Sequence, residues 1–520
     1  MIHKVTLLIL LPCLWMAAQD FDVAVYGGTS AGVAAAVAAA REGASVVLLE
    51  PGRHLGGMSS GGLGATDSGR TETIGGVSLE FYKRLGRHYG EPVSWRFEPH
   101  VAEDVFKAMA AEAGVKVLFG HRLKEKGGVR KQGSRITGIR MENGASFRAK
   151  VFLDCTYEGD LMAFSGVSYT WGRESAKQYN EPFAGVRPLD KYHYHTFPVP
   201  VSARDEKGKL LPEINAGPRG ELGAGDKKVQ AYNFRMCLSK DKSNQVPYPR
   251  PRGYDPRRYS LLARLIQGLE KRDGRSPRMN ELLIVSLMPN NKTDINNRGG
   301  FSTDYIGRNW DYPTAGYKRR ARIWQDHVDY TQGFFYFLAN DPQVPKPLRD
   351  EFNEWGLAKD EFADTSNWPH QLYIREARRM LADFVMTQKD AQTDLVKEDS
   401  VAMGSYQIDS HNIQRHVTAD GTVQNEGDTE VPSKPYQIAY RVMTPKAEEA
   451  ANLLVPVCAS TSHIAYGTIR MEPVFMALGQ AAGVAAHTAA RSGKSVQEID
   501  ARALRSRLRL LGAVTELPVR

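Results

Sequence analysis

Apolar and polar positions change rhythm several times along the chain, and the clearest change falls between Asp22 and Glu50. Val23-Ala24-Val25-Tyr26 is an unbroken apolar run of strand length that meets Gly27-Gly28-Thr29-Ser30-Ala31-Gly32. An alanine- and valine-rich stretch follows, then a second apolar run closed by Glu50. Strand, glycine-rich turn, helix and strand in this order predict a βαβ unit. Further on, the pattern predicts a helix over 99–113, a strand over 115–119, and a hairpin over 135–154 that turns at Asn143-Gly144. Helices are expected over 261–271, 318–338 and 374–386, a buried strand over 452–458, and a helix opening at Arg470-Met471-Glu472-Pro473. The last helix carries a small-residue stripe, including Ala477, Gly479, Ala481, Ala482, Gly483 and Ala485, which permits close packing against a sheet or a cofactor.

The turn carries the first chemistry. Gly27, Gly28 and Gly32 leave room for a pyrophosphate against backbone, with Thr29, Ser30 and Ala31 at the positive end of the following helix. Glu50 stands where an acid can accept from ribose hydroxyls, and its charge favours a free 2′-hydroxyl over a 2′-phosphate. Thr29 occupies the place of the middle glycine of the usual fingerprint. That departure keeps open a reading in which the dinucleotide fold is structural and the protein binds or degrades carbohydrate, and an NAD-linked reductase is a further alternative.

Composition changes the picture little. The chain has 520 residues, 42% hydrophobic and 24% charged, which is globular make-up and enough for two or three folding units. The net charge is +9. The basic clusters at 318–320 and 375–379 are interrupted by apolar residues and read as solvated helix faces, so no nucleic-acid partner is expected. The start is different: a short basic region over 1–4, an apolar core over 5–15 and small residues at Ala17-Ala18 predict an export signal over 1–18, with no membrane span once it is removed. Cys155, Cys237 and Cys458 then remain, too few and too widely spaced for a disulfide framework or an iron–sulfur cluster, and no metal site is expected. A glycine- and proline-rich shift near 190–258 reads as surface loops of a second domain.

With the motifs assembled, the chain resembles the FAD-dependent oxidoreductase family found in exported bacterial proteins. The match is carried by residues 26–32, by Gly56-Gly57-Met58, by 233–237, by 296–304, by 405–411, and by Ser462-His463 through Arg470-Met471-Glu472-Pro473. The resemblance implies a glutathione-reductase-type flavin fold, distantly similar to the flavin subunits of fumarate reductase and heterodisulfide reductase. It implies an α/β, Rossmann-like FAD-binding domain in two parts, 19–165 and 431–520, with an α+β substrate domain inserted over 166–430. FAD is the implied cofactor. The glycine doublet at Gly56-Gly57, with Met58, and the C-terminal helix start at Arg470 and Glu472 are the further implied cofactor contacts. His54 lies close to the doublet, and whether the flavin is covalently held stays open.

No second dinucleotide fingerprint and no cysteine pair accompany the motif, so electrons are expected from a small molecule bound against the flavin, with the later electron acceptor unknown. His411 and His463 are candidate proton acceptors, because imidazole titrates near neutrality. Arg441 and Arg470 are candidates for holding a carboxylate or stabilising negative charge. Tyr406, Tyr436, Tyr440, Trp310 and Trp368 are candidate stacking surfaces for a sugar or aromatic substrate.

Overall fold

The computed structural model describes residues 19–188 and 195–518, so the expected export signal over 1–18 lies outside the described residues. Strand β1 (Gln19–Tyr26) runs into helix α1 (Ser30–Arg41) and returns as β2 (Val46–Leu49), parallel to β1 with Val23 opposite Val46. Then come β3 (Lys116–Leu118), β4 (Val129–Gln132), β5 (Arg135–Arg140) and β6 (Ser146–Asp154). The parallel order is β3-β2-β1-β6, and antiparallel β5 and β4 extend it past the start of β6. The apolar runs are continuous because these strands are covered on both faces, as parallel sheets require.

The chain comes back to this sheet near its C-terminus. Leu453–Leu454 pairs in parallel with the end of β6, Leu453 opposite Phe152. This is shorter than the strand expected over 452–458: the following residues are buried as irregular chain, and Pro456 has no N–H to give to a ladder. Helix Glu472–Ser492 then packs along α1. A Cβ on Gly479 would stand 2.3 Å from the Ala31 carbonyl oxygen, and one on Gly483 would stand 2.2 Å from that of Ala35. The small-residue stripe therefore seats one helix backbone directly on the other.

Between β6 and Leu453 the chain builds a second, fully antiparallel sheet of five strands, ordered Leu283–Met288, Lys292–Asn297, Met236–Ser239, Gly356–Ala358 and Gln245–Val246. Helices Ser260–Asp273 and Tyr317–Asn340 form where apolar spacing placed them. The helix expected over 374–386 does not form. Its charged residues are not a solvated face: Arg375, Arg378 and Arg379 are buried on Asp304 (3.0 Å), Asp160 (2.7 Å) and Glu174 (2.6 Å), and Arg379–Met380 pairs as a short strand with Tyr169–Thr170. Arg320, from the other basic cluster, is also buried on Asp160 at 2.7 Å. Guanidinium groups taken out of water need such partners, and the partners fix the irregular path. Among the described residues no helix is long and apolar enough to cross a membrane.

Candidate functional site

The ends of β1, β2 and β6 open on a cleft of about 260 Å³ lined by Gly27, Gly28, Thr29, Glu50, Gly57 and Thr156 among others. It lies beyond the carboxyl ends of parallel strands, where β1 has β2 on one side and β6 on the other; this is the switch point at which such sheets bind ligands. Gly27 has φ +98°, a conformation that favours glycine, and a Cβ there would come within 2.8 Å of Thr156. A Cβ on Gly28 would meet Leu55 at 2.6 Å and the Glu50 carboxylate at 2.9 Å.

Thr29 shows why this sequence can dispense with the middle glycine. Its hydroxyl accepts from the Gly32 amide, capping α1, and donates to the Cys155 carbonyl oxygen at 2.7 Å, tying the helix start to the end of β6. Apart from the capped Gly32 amide, the first N–H groups of α1 have no acceptor within the helix, and its N-cap Thr29 lines the cleft. Glu50 accepts from the amides of Gly28 (2.6 Å) and Gly52 (2.5 Å), which braces the turn and leaves further lone pairs for ribose hydroxyls. Burial lifts its pKa to about 7 against those two hydrogen bonds. The glycine cradle, the helix start and the acid together fit a dinucleotide. A second trough of about 220 Å³ continues the cleft through Pro51, Glu158 and Trp324.

Beneath the turn, Glu472 starts the C-terminal helix and is buried. Its carboxyl accepts from the hydroxyls of Ser30 (2.5 Å), Tyr157 (2.8 Å) and Ser59 (3.1 Å). Burial raises its pKa to about 7, and the three hydroxyls offset only part of that. Tyr157 also accepts from the Met58 amide at 2.9 Å, and its hydroxyl fills the space beside Gly57, where a Cβ would fall 2.3 Å away. Gly56 is likewise pressed against Phe106, at 2.5 Å from a built Cβ. The doublet, Met58 and Glu472 therefore share one buried junction with α1. His54 is stacked on His370 over the cleft, centroids 3.9 Å apart, with Nδ1 3.2 Å from Glu103.

A second cavity, of about 240 Å³, lies on the far side of residues 372–374: Leu372 and Ile374 line the first cleft, while Tyr373 lines this one. His411 reaches it with Nδ1 3.0 Å from Asp304 and Nε2 3.6 Å from Asp409. Burial and Arg375 oppose a charge on the imidazole, but Asp409 and Asp304 outweigh them and hold its pKa above the ordinary value. His411 is thus favoured as imidazolium, a hydrogen-bond and proton donor. Arg470 borders the same network, donating to Tyr373 Oη (2.7 Å) and Asp409 (2.8 Å). Tyr406 lines the cavity and donates to Asp67 at 3.1 Å.

Other sequence candidates stand elsewhere. His463 lines neither cavity: it is buried between Glu376 (2.7 Å) and Ser410 (3.0 Å), and burial, reinforced by Arg379, drives its pKa down to about 3. It is a neutral, structural imidazole. Arg441 is half-exposed, 3.7 Å from Asp399 and stacked on Phe384, and lines neither cavity. Tyr436 and Tyr440 are core residues bonded to Thr468 and Val496; Trp310 donates to Ile413, and Trp368 packs on Phe234. Asp67, Asp304 and Arg375 were not singled out from sequence, although Asp304 closes the 296–304 motif. Asp67 is the more informative omission: burial pushes its pKa up, against the nearby Arg235, and among the described residues no cation pairs with it.

A family model described as FAD dependent oxidoreductase matches residues 22–508. A vinyl phenol reductase of Lactiplantibacillus plantarum is 56% identical over 52 residues, which is 10% of this chain and 10% of that protein. The chain thus matches only a small part of that relative's length. Among solved structures it is similar to an L-proline dehydrogenase from P. horikoshii (16% identity, 30% of this chain and 59% of that one, TM-score 0.24). It is similar also to a glycine oxidase from Geobacillus kaustophilus (16% identity, 29% and 60%, TM-score 0.23).

Proposed function

Because the chain belongs to the FAD-dependent oxidoreductase family and FAD is its cofactor, we propose that it is a dehydrogenase or oxidase of a small polar molecule bound in the second cavity. The observation that carries the reading is His411, backed by Asp304 and facing a cavity separated from the cofactor cleft by the single segment 372–374. Bound FAD supplies the two-electron acceptor. The protein's share is to hold the cofactor through the start of α1 and Glu50, and to orient the substrate. The imidazolium of His411 donates to a substrate oxygen and stabilises the negative charge that grows there as its proton leaves. Asp67, which lines the same cavity and has a raised pKa, is the proposed acceptor of that proton. The reading includes an exported chain and an extracellular substrate, supported by the basic and apolar pattern of the first residues.

Anaerobic mixing of the FAD-loaded protein with candidate alcohols and amines tests it: loss of the flavin absorption band marks reduction. His411→Ala should slow that reduction by about 100-fold or more while FAD stays bound. Reduction at the wild-type rate in that variant would remove His411 from the chemistry. A second reading, reduction of an activated alkene, is favoured by the same protonated His411, which suits a proton donor, and by the short match to a vinyl phenol reductase. It predicts that the reduced flavin is reoxidised by the alkene rather than bleached by an alcohol.

A further inference from the structure

The charged groups that line the second cavity divide into those the protein pairs and those it does not. Arg235 gives both arms of its guanidinium to Asp294, at 2.8 and 2.5 Å. Asp409 is held by Arg470 at 2.8 Å, and His411 by Asp304 at 3.0 Å. Glu430 accepts from the Gln407 side-chain amide at 3.2 Å and lies 3.7 Å from His195. Arg96 and Asp67 stand apart: among the described residues no acid pairs with the first and no cation with the second.

These two are neighbours in the fold. The Thr66 amide donates to the Trp95 carbonyl oxygen at 3.0 Å and Ala65 bridges Arg96, so the two segments run side by side. The Arg96 guanidinium makes a long 3.4 Å contact with the Leu287 carbonyl oxygen, on the strand whose Ile284 and Ser286 line the same cavity. Arg96 is exposed, and most of its five N–H donors are left for a ligand. A carboxylate is the complement of that planar fork, taking two parallel hydrogen bonds. At Asp67 the missing partner is a donor, either a hydroxyl or an ammonium. His411 decides between them. It lines the same cavity and is favoured as imidazolium, and Arg235 and Arg470 add positive charge near Asp67, so an ammonium meets like charge there. A hydroxyl instead accepts from the imidazolium and donates to the carboxylate at once.

Resting on the oxidoreductase reading above, we propose that the second cavity recognises a hydroxylated carboxylic acid, its carboxylate on Arg96 and its hydroxyl on His411 and Asp67. Arg96 is then the residue that sets acids above neutral alcohols. Trp95, Tyr373 and Tyr406 offer flat apolar surfaces to the carbon frame. At about 240 Å³ the cavity lies just below the range of drug-sized ligand sites and suits a few carbon atoms or a single ring.

The test uses the FAD-loaded protein, reduced anaerobically with dithionite so that binding is read without turnover, and titrated calorimetrically with lactate and mandelate. Lactamide and mandelamide remove the charge, propionate and phenylacetate remove the hydroxyl, and alanine and phenylglycine replace it by an ammonium. Each hydroxy acid should bind at least about tenfold more tightly than each of its three analogues. Arg96→Ala should bring hydroxy acid and amide to within about threefold of each other, and Arg96→Lys, which keeps the charge without the fork, should fall between. Equal or tighter binding of any analogue, a preference for the acid that survives Arg96→Ala, or no binding of either hydroxy acid to protein whose FAD is present and reducible, overturns the proposal and leaves the oxidoreductase reading standing. Protein that cannot be loaded with FAD fails the oxidoreductase reading itself, and with it the proposal.

Discussion

His411 and Asp304 stand 3.0 Å apart, and the far side of the same carboxylate meets Arg375, also at 3.0 Å. One acid therefore anchors a histidine at the cavity wall and neutralises a guanidinium in the core. Asp304→Asn separates the two roles. Removing a negative neighbour lowers the His411 pKa, so the imidazolium persists only to a lower pH. The limb of the pH–rate profile that reports His411 should move to the acid side by about one unit or more. Because Arg375 loses its ion pair, stability should fall by about 3 kcal/mol or more. A profile that does not move, read beside the thermal melt, would separate His411 from the rate.

Glu472 makes stability depend on pH in the less usual sense for a carboxyl. Its pKa is raised to about 7 in the fold and lies near 4.5 in the unfolded chain. Between those values the folded state keeps a proton that the unfolded state has released, so stability is full below about 4.5 and declines as pH rises toward 7. Glu472→Gln should flatten that decline in thermal melts taken from pH 5 to 8. A residual slope is expected from Glu50, whose pKa is also raised to about 7. An unchanged slope in the variant would mean that Glu472 is ionised in the fold.

Gly483→Val places a branched side chain where even a Cβ would stand 2.2 Å from the Ala35 carbonyl oxygen. The two helices must separate, at a cost of about 1–3 kcal/mol. With FAD held at the start of α1 as proposed, its dissociation constant should rise with the loss of stability, and fluorescence quenching of added FAD measures it. Wild-type affinity with a lowered melting point would show that the helix start does not shift.

Thr29→Ala removes both a helix cap and the hydrogen bond to Cys155. The cap alone is worth about 1 kcal/mol. Thr29→Ser keeps both bonds and should restore stability and FAD affinity together. If Thr29→Gly, which matches the usual fingerprint, outperforms the wild type in both, the hydroxyl has no such role.

How much of this was legible beforehand follows from the range of the interactions. The βαβ unit could be read because strand, turn, helix and Glu50 lie within 29 successive positions and each answers to local spacing. His411 could be found by residue type, but its hydrogen-bond partner Asp304 lies 107 residues away, and the raised pKa that turns a proposed acceptor into a donor comes from Asp409, two positions off, together with that distant contact. The 375–379 cluster misled for a related reason. Closely spaced charges resemble a helix surface, yet all three arginines reach distant acids, at Asp304, Asp160 and Glu174, with Arg379 pairing also with Glu376 inside the cluster. Asp67 gave no local signal, since its significance lies in lacking a cation among residues brought together only by the fold.

Leu372, Tyr373 and Ile374 face alternate sides of the partition between the two cavities. The Ile374 amide donates back to the Leu372 carbonyl oxygen at 2.9 Å, so the chain turns at Tyr373 and its side chain parts from those of its two neighbours. Whatever presses on one side is transmitted to the other through one backbone. On the reading proposed above, with FAD in one cavity and substrate in the other, any coupling through this segment is reciprocal: the factor by which FAD changes substrate affinity is also the factor by which substrate changes FAD affinity. On that reading a substitution at Leu372 or Ile374 on the cofactor side also shifts Tyr373 on the substrate side.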